Sequence, residues 1–178
     1  MNLVTLLVAL CLGVCCNLRA QSELAPLPAD GFVTLETIVE DFAKSLPDAL
    51  QKYNGMRVCV YGRVEKITQK SSAGQSSTAL LMKSSLAQNI NVIALLNEAY
   101  IPSGSVILAD SETEAVVYSS DWTGNVQGKS SPIVSGEIIA VRGFFDNFVS
   151  GDIILKNCFK LGGEGLDKKL TEHGITAE

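Results

Sequence analysis

After Gly55 the hydrophobic period of the chain changes to two, and that change most narrows what it can fold into. In Arg57-Val58-Cys59-Val60-Tyr61-Gly62-Arg63-Val64, the residues Val58, Val60 and Val64 share one face, while Arg57, Tyr61 and Arg63 share the other. Such alternation marks a strand with one buried side. Gly62 in its middle predicts a bulge or a sharp coil, the device by which a small barrel bends a long strand. Residues 78–83 and 91–96 read as strands two and three, joined to the first by a polar hairpin loop at 70–77. Two more strands follow at 137–144 and 152–159, with a turn at 146–151. Ile139, Val141 and the position of Gly143 share a face in one; Ile153, Leu155 and Phe159 share a face in the other.

Before this β-rich part, Leu35, Ile38, Val39, Phe42, Ala43 and Leu46 recur at helical spacing, with Thr34 available as N-cap. Pro47 ends that helix or starts a second short turn that closes near Asn54-Gly55. Residues 21–31 carry two prolines and no period, and read as an extended linker. Between strands three and four lies an inserted segment, 98–132. Residues 104–109 and 115–120 suit a hairpin around the acidic Asp110-Ser111-Glu112-Thr113-Glu114, and 119–135 reads as loop. The barrel domain is expected over 32–161 and a flexible tail over 162–178. No internal repeat is present.

The ordered set of motifs resembles the tRNA_anti-like OB-fold family, whose members read as a helix, Y-x-G-K and then V-x-V-x-G-x-V. Here the first match is Tyr53-Asn54-Gly55-Met56-Arg57-Val58 followed by Val60-Tyr61-Gly62-Arg63-Val64. Gly136-Glu137-Ile138-Ile139-Ala140-Val141-Arg142-Gly143 is similar to the family's G-D-x-V-x-V-x-G, and Ile154-Leu155-Lys156-Asn157-Cys158 to its closing v-x-L-x-N-C. The resemblance covers 34–161. It implies a mainly β, five-stranded OB-like Greek-key barrel with an N-terminal helix and an inserted segment between strands 3 and 4. It also implies similarity to exported members, and it carries no tRNA ligand with it. The chain departs from the pattern at Met56, where the family often has Lys, and in the stretch of about 40 residues between strands three and four.

Leu3, Val4, Leu6, Leu7, Val8, Ala9, Leu10, Leu12 and Val14 form a near-continuous apolar run. It is shorter than the roughly 20 residues a membrane span needs, and suits the core of a secretory signal. Residues 1–20 are therefore read as a signal peptide, with Ala20 at the cleavage position, although no Lys or Arg precedes the run. An uncleaved anchor and a buried helix are the other readings. Leu12-Gly13-Val14-Cys15 resembles a lipobox, so a lipoprotein signal with Cys15 or Cys16 lipidated is a further alternative. The expected location is secreted or periplasmic, membrane-anchored only if lipidated. Of 178 residues, 14 are basic and 19 acidic. Without Arg19 the mature chain stands at −6, a balance that phosphate backbones repel.

No chemistry-bearing constellation stands out. The one His, His173, lies in the expected tail, so neither a Ser-His-Asp nor a Cys-His arrangement can be assembled from the barrel. Metal-ligand spacings are missing and the acidic 110–114 stretch lacks a calcium loop's pattern. The glycine-rich stretches lack the Lys-Ser/Thr that a phosphate-binding loop needs. The chain is expected to be no enzyme and to need no cofactor. Binding remains, and OB barrels bind on the strand 2–3 face with the loops after strands 1 and 4. That nominates Lys70 and Ser72 in the first loop and Phe148 in the second, where a Phe can stack a base but more commonly closes a barrel core. Tyr118 and Trp122 in the insertion form the other candidate, with a Trp packed over the barrel end as the bland reading. Expected partners are a protein, peptide or glycan of the cell envelope; the alternative is an oligonucleotide. Cys59 and Cys158, an even pair in an oxidising compartment, are a candidate disulfide closing a loop of about 99 residues and worth roughly 4.7 kcal/mol. Two separately buried thiols are the competing reading.

Overall fold

Thr34 acts as the N-cap its sequence suggests: its Oγ1 accepts from the Thr37 N–H at 3.1 Å. This is seen in a computed structural model that describes residues 24–72, 75–96, 105–109, 114–120, 126–161 and 164–175. Helix α1 (Leu35–Lys44) buries Leu35, Ile38, Val39 and Phe42, the stripe read from the sequence. Pro47, in the first turn of α2 (Leu46–Tyr53), starts a second helix, a position where its missing N–H costs nothing. Ahead of them, β1 (Phe32–Thr34) runs parallel to the next strand.

The barrel is built from β2 (Arg57–Ser72), β3 (Gln75–Lys83), β4 (Asn91–Leu96), β8 (Ile138–Val149) and β9 (Asp152–Leu161). They follow in the order β2-β3-β4-β9-β8, and β8 pairs back onto β2. Only the β4–β9 contact within that ring is parallel. This is the closed five-stranded Greek-key arrangement of an OB-like barrel. Helices α1 and α2 close one end, where Phe42 stacks on Phe148 and lies against Phe145 and Tyr53. The insertion forms a separate antiparallel sheet of β5 (Ser105–Ala109), β6 (Glu114–Ser120) and β7 (Val126–Val134). Ile133, near the end of β7, is fully buried in the barrel core.

Several expectations are corrected. Residues 70–72 and 75–77 are strand rather than loop: β2 and β3 continue as a paired ribbon with Lys70 opposite Ser77 and Ser72 opposite Gln75. Polar composition hid this, because a two-sided polar ribbon has no apolar alternation to read. The 119–135 stretch holds β7. The bulge foreseen at Gly62 falls instead at Glu65, between the Val64–Met82 and Lys66–Leu81 pairs. Gly62 has another role: a Cβ there would sit 2.5 Å from the Leu35 Cβ, so its absence lets α1 lie directly on β2.

The last strand also changes phase. Ile153 and Leu155 face inward as expected, but Asn157 turns to φ 53°, and Cys158 rather than Phe159 is next into the core. Opposite that bulge, Gly143 makes room, since a Cβ there would meet the Cys158 Sγ at 2.4 Å. Asn tolerates this left-handed conformation better than most residues do. The tail is likewise not structureless: α3 (Glu164–Glu172) packs Leu170 against the outside of the barrel.

Candidate binding site

A concavity lies on that outer side, between α3 and the strands it covers. Three remote segments meet there. The first is the turn before β1, read above as linker. Gly31 adopts φ +73°, and a Cβ on it would lie 2.4 Å from the Arg57 carbonyl oxygen, so only glycine lets the turn press onto β2. The Cys59 N–H then donates to the Gly31 carbonyl at 2.8 Å, and the Phe32 N–H donates to Asp30 Oδ1 at 3.1 Å. The residues upstream are tied down too, with Leu24 in the main core.

The second segment is β8, whose Val141 and Gly143 point inward and whose Ala140 and Arg142 point outward. Arg142 is paired across the sheet with both Cys59 and Phe159. The third is α3, which brings Leu166, Lys169 and Leu170, followed by His173 and Ile175. Lys169 Nζ donates to Asp30 Oδ2 at 2.9 Å and to Glu172 Oε2 at 2.8 Å. His173 Nε2 lies 3.1 Å from the same Asp30 oxygen, and its ring stacks on Phe32 with centroids 4.4 Å apart. The Lys169 ammonium, more than any other partner, holds the Asp30 carboxyl well below the usual carboxylate range, and His173 adds to it.

Under this layer is a cavity of about 250 Å³ lined by Asp30, Phe32, Cys59, Arg142, Leu161, Leu166 and Lys169. Arg142 reaches the Asp30 carbonyl through Nη2 only at 3.4 Å, and its buried Nε has no hydrogen-bond partner among the described residues. An unpaired buried donor costs about 1–3 kcal/mol, so a guanidinium held this way at a cavity wall is an unusual feature.

Of the sequence-nominated residues, Cys59 lines this cavity, whereas Lys70, Ser72, Tyr118 and Phe148 do not. Lys70 and Ser72 lie in the far part of the β2–β3 ribbon. Tyr118 lies in β6, opposite Val106 and Lys129, while Trp122 and the acidic turn at 110–113 fall outside the described residues, as do residues 1–23. Phe148 sits at the helix-closed end of the barrel, stacked on Phe42 at 5.0 Å. On the outward side of β3 and β4, Ala79 and Ile93 are buried and Leu81 and Leu95 half-buried, an apolar surface without aromatics.

Cys59 and Cys158 are two free, buried thiols rather than a disulfide. The bulge at Asn157 is the reason: it turns Cys158 into the barrel, whereas Cys59 faces outward under α3. Burial pushes the Cys59 thiol up to about 11 and the Cys158 thiol up to about 12. Among the described residues no group of three or more His, Cys, Asp or Glu side chains could hold a metal ion, and no helix is long and apolar enough to cross a membrane.

The pocket residues escaped the sequence reading because 30–32, 142 and 161–175 are far apart and form no motif. One signal for α3 was present. Leu166 and Leu170 stand at i and i+4, and Gly174 (φ +69°) follows the last turn, where the Ile175 N–H returns to the Leu170 carbonyl at 2.8 Å.

No protein-family model matches the chain, and no curated protein matches it. Among solved structures, a crystal structure of a "putative nucleic acid-binding lipoprotein" from Klebsiella pneumoniae aligns over 74% of this chain and 91% of its own. The TM-score is 0.49 and the sequence identity 14%.

Proposed function

We propose that the chain is an exported, non-catalytic binding or accessory protein of the cell envelope, built on an OB-like barrel of the tRNA_anti-like kind. The observation that carries the binding reading is the cavity under α3, where Arg142, whose buried Nε has no partner among the described residues, stands in a mainly apolar lining. Pockets of that make-up, mostly apolar with a few placed polar groups, are typical of ligand sites. Export is supported by the apolar run within residues 1–16. The non-catalytic reading is supported by the state of the reactive groups: both barrel thiols are buried and held protonated at neutral pH, and His173 is engaged by Asp30.

Electrostatics favour this over an oligonucleotide ligand. Lys52, Lys156, Lys160 and Lys169 are each paired with a carboxylate, which leaves them poorly placed to neutralise phosphates. The test is mass spectrometry of fractionated cells expressing the full chain. The reading expects, in the envelope or medium, a mature start near Gln21 or a lipid on Cys15 or Cys16. An intact Met1 in the cytosolic fraction overturns export. Tight, salt-sensitive single-strand binding would favour the oligonucleotide alternative.

A further inference from the structure

The geometry points to a ligand class for the cavity: we infer that it binds a small monocarboxylate whose head pairs with Arg142 and whose short apolar body lies between α3 and the barrel. This deepens the binding reading and rests on it, though not on export. Charge fixes the head. The charged lining groups are Asp30, Arg142 and Lys169; Asp30 is engaged by Lys169 at 2.9 Å, an ammonium it shares with Glu172 at 2.8 Å, and by His173 at 3.1 Å. Among the described residues Arg142 has no carboxylate partner, its buried Nε is unpaired and its Nη2 makes one bond of 3.4 Å to a carbonyl. A guanidinium presents its N–H groups as a planar fork, which the two oxygens of a carboxylate can match. With Asp30 and Glu172 sharing a single Lys169 at the rim, a monoanion fits beside Arg142 better than a dianionic phosphate.

Size and lining fix the body. A cavity of about 250 Å³ is many times the roughly 10–15 Å³ that one water needs by the same measure. That leaves room for the body of a short alkanoate or an aryl acid. Phe32, Cys59, Leu161 and Leu166 supply apolar wall, and Cys59 with its thiol held neutral adds no competing charge.

The experiment uses the full chain, purified as the expressing cell leaves it, and hexanoate as probe. Hexanol and hexylammonium are the controls. Binding is read by calorimetry and by the ring proton signals of His173, the one histidine, whose ring stacks on the lining residue Phe32. Saturable hexanoate binding that shifts those signals is expected, at least tenfold tighter than either control. Arg142→Gln should weaken hexanoate at least tenfold with the fold retained by circular dichroism. Should that variant not fold, Leu166→Trp, which fills the cavity from α3 and keeps Arg142, is expected to abolish binding. Equal binding of hexanol, undiminished binding by Arg142→Gln or Leu166→Trp, or no binding of any probe overturns the inference. An exported chain that ignores hexanoate would fail this inference alone. A cytosolic chain that binds it would fail the export reading alone.

Discussion

Inside the barrel, Leu35, Ile38, Ile67, Leu80, Met82, Ile133, Ile153 and Leu155 are almost wholly removed from water and belong to one core cluster that also takes in Val92 of β4 and Val141 of β8. The layer outside, beneath α3, gathers four buried residues, Phe32, Cys59, Ala140 and Leu170, with Tyr61, Leu161, Leu166 and Ile175 half-buried against them, and is fastened at its rim by Asp30, Lys169 and His173. The inner region is held by close-packed apolar area, which gives one well-ordered arrangement. The outer one has a smaller apolar patch and a charged latch, so it can open without the barrel unfolding. Segments that accommodate ligands are commonly drawn from such less stable parts of a fold. The cavity and the unpaired Arg142 nitrogen lie in the outer layer.

Truncation on each side should break the comparison most visibly. Leu155→Ala, inside, is expected to cost about 2–5 kcal/mol in urea unfolding. Leu170→Ala, outside, should fall at the lower end, about 2 kcal/mol, and should strip protection from α3 before the barrel. Equal losses of protection across the whole chain would erase the distinction.

A second contrast concerns buried polar groups. Under the helical end, the Tyr53 hydroxyl donates to Asp41 Oδ2 at 2.5 Å and Lys52 Nζ reaches the same oxygen at 2.6 Å. Burial, more than the bond to Asp41, raises the Tyr53 hydroxyl far above the usual phenol value. Tyr53→Phe should therefore cost about 1–3 kcal/mol, because it leaves a buried carboxylate one donor short.

Alkaline titration separates the two layers through their thiols. Both have raised folded pKa values, about 11 for Cys59 and about 12 for Cys158. The unfolded thiol titrates near 8.5, so their contribution is complete below that pH and is lost as pH rises toward the folded values. Stability should fall by roughly 1 kcal/mol per pH unit per thiol across that window. Cys158→Ala should remove its share of the slope. In the unreduced, denatured protein iodoacetamide should label both cysteines; a single disulfide-linked mass would contradict their placement on opposite faces of the sheet.

These tests also mark what was legible in the sequence. Val58, Val60 and Val64 gave away the first barrel strand through period two, and Ile139 with Val141 did the same for β8. What stayed hidden depended on single backbone turns or on distant partners. Asn157 at φ 53° reverses the phase of Cys158, and nothing in Leu155-Lys156-Asn157-Cys158 announces it. The 24–31 segment looks like linker because its worth lies in one Asp that meets Lys169 and His173, 139 and 143 residues later. The β2–β3 ribbon hid for the opposite reason: Lys70, Ser71, Ser72, Ser76 and Ser77 have no apolar alternation to give a strand away.

The smallest expected effect is on the latch. Asp30 is held below its ordinary value, so its contribution is complete above about pH 4, the unfolded value, and is lost as pH falls through the folded one. Asp30→Asn should mimic that loss at neutral pH, loosening α3 while barely moving the global melt. A large drop in the global melt would show that the latch belongs to the main core.

Hydrogen–deuterium exchange with and without hexanoate tests the central claim most directly, that ligand is held in the outer layer and not on the β3–β4 face. The expected result is early exchange of α3 amides around Lys169 and Leu170, slowed by hexanoate, with β3 and β4 unchanged. Exchange of α3 in step with the barrel, or protection by hexanoate confined to the β2–β3 ribbon, would contradict it.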